Sequence, residues 1–158
     1  MTAGGAAASA AAICVGAAAL EGLCAGPGVR GRLEALRQPA VSPPFAGWVA
    51  IGIAYYVICF TVLFRLLRTE PSTRRAAALA ATAVLLAANA AWSLAFFRWK
   101  SLGAGAAILL AYAALAVGLE SLLIGIDGTA AGVFAVYVVY LGYAIWWLRS
   151  LRRLNPGG

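Results

Sequence analysis

Five long apolar runs, separated by short polar breaks and one longer one, set the pattern of this chain; they cover about residues 3–24, 46–67, 76–97, 103–125 and 130–149. Each is close to the roughly 20 residues that a helix needs to cross a hydrocarbon core of ~30 Å. The alternation of a barrel strand is absent from them, and only helices otherwise satisfy their own backbone in lipid. The pattern predicts an all-α membrane protein, a five-transmembrane-helix bundle that fills residues 1–158 as one membrane domain and leaves no room for a soluble one. Residues 1–22 hold no Lys or Arg, so the first run lacks the basic start of a secretory signal and reads as a retained helix.

The breaks differ in kind. IDGT before the fifth run and RTEPSTRR before the third are short enough to force antiparallel helix hairpins. Residues 25–45 make the one long excursion. There AGPGVRG leads into RLEALRQ, a candidate short amphipathic helix with Leu33 and Leu36 on one side, and then into QPAVSPP, where Pro39, Pro43 and Pro44 stiffen an extended backbone. A long loop among short ones reads as a lid over one mouth of the bundle, or as a solvated linker.

Composition agrees with the pattern: 64% of residues are hydrophobic and 11% charged, against about a quarter charged in soluble domains. The net charge of +7 divides between two faces. Arg30, Arg32, Arg37, Arg98, Lys100, Arg149, Arg152 and Arg153 fall on one, and Arg65, Arg68, Arg74 and Arg75 on the other. The positive-inside rule then expects the N-terminus outside and the C-terminus inside, with the basic side against anionic headgroups. Charge split in this way forms no stripe for nucleic acid. With no histidine, and with Cys14, Cys24 and Cys59 scattered without pairing motifs, the chain offers neither a zinc site, nor a histidine-ligated haem, nor a His-activated nucleophile. The expectation is no catalytic residue, no metal and no required cofactor.

Polar groups inside the spans are the candidates for function. On the third span Asn89 shares a helical face with Thr82, Trp92, Ser93 and Phe96, while Ala80, Ala87 and Ala91 lie opposite, a small-residue surface that suits another helix within the bundle or across a homodimer. Tyr137, Tyr140 and Ala144 share a face of the last span, and Tyr56 and Phe60 one of the second. Three aromatic stripes with hydroxyls and an amide suit a flat, largely apolar ligand; they also suit the filling of a bundle core. Glu120, on the fourth span, is expected to snorkel toward Asp127 or to pair with Arg65 or Arg68, and Glu21 to lie at the interface.

These residues resemble the TspO/MBR family, the tryptophan-rich sensory or translocator proteins. Asn89-x-x-Trp92-x-x-x-Phe96-Phe97 looks like the family's N-x-x-W-x-x-x-F-F; QPAVSPP keeps three prolines of its K-P-x-W-x-P-P; Val136-Tyr137-x-x-Tyr140 is similar to its P-Y-x-x-W. The chain departs from the family at Val41, Gly52, Arg32-Leu33, Val136 and Tyr140, mostly where the family carries tryptophan, tyrosine or proline. The resemblance implies a five-helix bundle that binds porphyrins such as protoporphyrin IX or haem, with sterol-like ligands for some members. By matched position the ligand-binding residues are Pro43, Pro44, Tyr56, Phe60, Asn89, Trp92, Ser93, Phe96, Tyr137, Tyr140 and Ala144. Leu141-x-Tyr143 followed by Arg149 also fits a weak cholesterol-contact pattern. The membrane is a cell membrane if the source is bacterial and an organelle membrane if eukaryotic. Two alternatives stand beside this reading: a small transporter that uses Glu120 and Asn89 as polar steps, and light-dependent porphyrin breakdown in which the ligand supplies the chemistry.

Overall fold

A computed structural model describes residues 1–156 of the chain, and among them it has six helices and no strand. They are α1 (Ala3–Ala25), α2 (Val29–Ala35), α3 (Phe45–Arg68), α4 (Thr73–Ser93), α5 (Leu102–Ile124) and α6 (Gly128–Leu154); α4 continues through a π-helical turn, Leu94–Arg98. Five are long and apolar enough to cross a membrane, α4 with its π turn counted as one, and the protein is an integral multi-pass membrane protein. The last span runs on to Leu154, five residues past the apolar run, because its final turn carries Arg152 and Arg153, which favour a helix C-terminus.

Side-chain caps set where the helices start. Thr2, Ser72, Ser101 and Asp127 accept from the backbone N–H of Gly5, Arg75, Ala104 and Ala130 at 3.2, 3.1, 3.1 and 2.8 Å. α3 instead follows Pro44, an extended N-cap residue with no side-chain cap, whose carbonyl accepts from Trp48 N–H at 3.2 Å. α1 ends at Gly26, which takes φ 72°.

The long helices close into a ring. α1 packs on α3 and α4, α3 also on α6, α6 on α5, and α5 on α4. α1 buries only a small stripe, Ala6, Ala10 and Cys14 at every fourth position, so its neighbours approach closely. Val57, Val84, Leu110, Val117 and Val139 are exposed on the outside, as lipid-facing residues should be. Ala80, Ala87 and Ala91 also face out.

At the end of the bundle where α3 meets α6, Arg65 grips Asp127 at 2.7 Å through Nη2 and at 2.9 Å through Nε. The pairing expected of Glu120 is therefore corrected: Arg65 serves Asp127, and Arg68 lays its guanidinium 5.5 Å from the Phe64 ring centroid. Asp127 wins because it sits at the helix start, beside both a cation and open backbone N–H groups. Glu120 keeps one buried carboxylate oxygen without a hydrogen-bond partner.

Candidate functional site

The ring encloses a cavity of about 280 Å³ that continues into a smaller lobe of about 80 Å³. Trp48, Asn89, Trp92, Tyr137, Tyr140 and Trp147 line both lobes. α3 presents Trp48, Gly52 and Tyr55 at i, i+4 and i+7; α6 presents Tyr137, Tyr140, Ala144 and Trp147 at i, i+3, i+7 and i+10. Both spacings hold one helical face toward the middle of the ring. The rings support one another: Trp48 meets Trp147 at 4.7 Å, Tyr55 meets Tyr137 at 5.0 Å, and the Tyr137 and Tyr112 hydroxyls share a hydrogen bond of 2.7 Å. Such aromatic pairs add to simple burial and fix the wall in place.

α4 supplies the polar side. Asn89 reaches both lobes. Trp92 stacks on Phe96 at 4.9 Å, and its Nε1–H is buried without a partner. Beyond it the π turn changes the register. Trp99 N–H donates to Leu94 O at 2.9 Å, a bond to the fifth residue back, so Phe97, five after Trp92, shares the Trp92 face and lines the cavity. Phe96 is fully buried behind it.

The long first loop covers one mouth. Val29 and Leu33 of α2 reach the larger lobe, and hydrogen bonds anchor the rest. Tyr143 Oη donates to Val41 O at 2.7 Å, Trp147 Nε1 to Ser42 Oγ at 3.1 Å, and Gln38 Nε2 to Leu33 O at 2.7 Å. Asn155 holds Arg37 twice, accepting its N–H at 3.0 Å and donating to its carbonyl at 3.1 Å. Arg32 Nη2 donates to Lys100 O at 2.7 Å and Arg98 Nη1 to Leu23 O at 3.2 Å, closing the other side. Beside this lid lies a groove of about 480 Å³ carrying Arg32, Arg98 and Lys100, with Phe97 common to groove and cavity.

Glu21, near the end of α1, points into the bundle. It lines the larger lobe, where Tyr56 Oη donates to Oε2 at 2.7 Å and Ser93 Oγ to Oε1 at 3.0 Å. A helix with small and apolar residues on every face gives no sign in the sequence of which way its one acid points.

Of the positions matched by resemblance, Asn89, Trp92, Tyr137, Tyr140 and Ala144 line the cavity. Tyr56 and Ser93 stand behind it and hold Glu21, Phe96 backs Trp92, and Phe60 stacks on Phe64. Pro43 and Pro44 lie outside both lobes and set the start of α3. Sequence reasoning missed Trp48, Tyr55 and Trp147. Trp147 was within reach: it continues the Tyr137, Tyr140 and Ala144 face by three more residues.

The TspO/MBR family model matches residues 10–149 of the chain. No curated protein matches it.

Proposed function

The chain belongs to the TspO/MBR family of membrane sensors and translocators, and from that premise we propose that its ligand is a tetrapyrrole of porphyrin type, held in the aromatic cavity beneath the first loop. The observation that carries this reading is the aromatic lining of both lobes around Asn89, with the unpartnered Trp92 Nε1–H among it. Flat rings stack on such walls, and a small number of polar groups orient them. At about 280 Å³ the larger lobe falls just short of the ~300–1,000 Å³ that ligand pockets commonly span. A macrocycle therefore places one edge in the cavity and the other toward the groove of Arg32, Arg98 and Lys100, where basic side chains suit its carboxylates. No acid–base or nucleophile cluster is needed, since binding and release alone serve sensing or translocation.

Titration of the purified protein with protoporphyrin IX, followed by tryptophan quenching, tests the reading. Saturable binding weakened about ten-fold by Asn89→Ala and by Trp92→Ala is expected, a change of ~1.4 kcal/mol. Saturable binding that neither variant alters would remove the cavity as the site.

A further inference from the structure

Glu21 carries an inference about which ligands the cavity favours. A carboxylate on a membrane-spanning helix is costly unless it is paired or has a task. Among the described residues Glu21 has no ion-pair partner: the ion pairs are Arg30 with Glu34 and Arg65 with Asp127. Arg98, at the same end of the bundle, gives Nη1 to the Leu23 carbonyl instead. What Glu21 has is two hydroxyl donors from two other helices, Tyr56 on α3 and Ser93 on α4, one to each oxygen. They fix the group against the cavity wall without neutralising it, and each oxygen keeps further acceptor capacity.

The surroundings complete the argument. Trp48, Trp92, Trp147, Tyr55, Tyr137 and Tyr140 line the same lobe. Aromatic faces attract cations, and a carboxylate accepting from a charged donor makes the stronger class of hydrogen bond. A neutral or anionic ligand uses the rings and leaves Glu21 idle or repelled; a ligand with a protonated nitrogen uses both.

We infer that Glu21 forms an ammonium-binding subsite, so that the cavity prefers flat aromatic ligands bearing a protonated nitrogen over anions of the same shape. The inference rests on the cavity being the ligand site but not on the ligand being a porphyrin. Two tricyclic probes of one shape, 9-aminoacridine as the cation and acridine-9-carboxylate as the anion, separate the two ideas in uncharged detergent at pH 7. Wild type should bind the cation at least ten-fold more tightly. Glu21→Gln should remove that preference, and Tyr56→Phe, which loosens the carboxylate but keeps its charge, should retain most of it. The wild-type comparison needs no variant to fold. Equal binding of the two probes by wild type, or a preference that survives Glu21→Gln, overturns the subsite even where porphyrin binds. Cation preference that depends on Glu21, without any porphyrin binding, supports the subsite and removes the tetrapyrrole reading instead.

Discussion

At the scale of single residues, charge at the bundle ends divides into groups that hold the fold and groups left for other work. Asp127 does two structural jobs, capping α6 and gripping Arg65. The Arg65 hydrogen bonds, helped by the backbone N–H groups of Ala130 and Thr129, hold its carboxyl below the usual carboxylate range. A group whose folded pKa is depressed stabilises the fold above its unfolded pKa, about 3.9 for aspartate, and that contribution is lost as pH falls through the lower folded value. Asp127→Asn keeps the cap but loses the ion pair, so its melting temperature should lie a few degrees, roughly 3 °C, below wild type at pH 7. The gap should begin to shrink near pH 4 and close as pH falls through the lower folded value. Thermal unfolding across that range checks it, and a gap independent of pH would show that the pair contributes nothing. Legibility at this scale was uneven. Asn89 and Trp92 declare themselves as polar and aromatic atoms at membrane depth, whereas Glu21 lies near a helix end, where an inward and an interfacial acid look alike in sequence.

Among the elements, span positions followed from apolar length, because the bilayer fixes that length within a few residues. Local departures from ideal helix did not. Sorting α4 at 100° per residue places Phe96 with Asn89, yet the wider π turn turns Phe97 to the cavity and buries Phe96. No residue type in LAFFR announces that turn. On α3 the sequence offered two adjacent tyrosines, and the face running through Tyr55 rather than Tyr56 meets the cavity because Trp48 and Gly52 lie along it. The first loop behaves as an element too. Its anchors come from α6 and from Asn155 just beyond it, and Asn155 bonds the Arg37 backbone directly, so removing Asn155 should free residues around Arg37 without disturbing the spans. Asn155→Ala should speed trypsin cleavage at Arg37 several-fold and raise amide exchange across residues 36–42, with the melting temperature changed little. Unchanged cleavage would mean that Tyr143 and Trp147 suffice to hold the loop.

For the whole molecule, the ring order α1, α3, α6, α5, α4 is what turns scattered aromatic residues into one wall. Neither composition nor periodicity states which helix neighbours which, so the meeting of Trp48 with Trp147 was beyond reach of the sequence even though each helix was placed. The family resemblance supplied the architecture, and the departures noted at Gly52 and Tyr140 fall on the cavity lining itself. Gly52 offers the sharpest test that this interior holds the ligand. A Cβ there meets nothing within 4 Å, so the backbone of α3 accepts a side chain at this point of the lining, whereas Val57, on the same helix, is exposed on the outside. The deciding measurement is the protoporphyrin IX dissociation constant of Gly52→Phe beside that of Val57→Phe. A cavity-bound ligand predicts at least a ten-fold loss for Gly52→Phe and less than a two-fold change for Val57→Phe; wild-type affinity in both would contradict it.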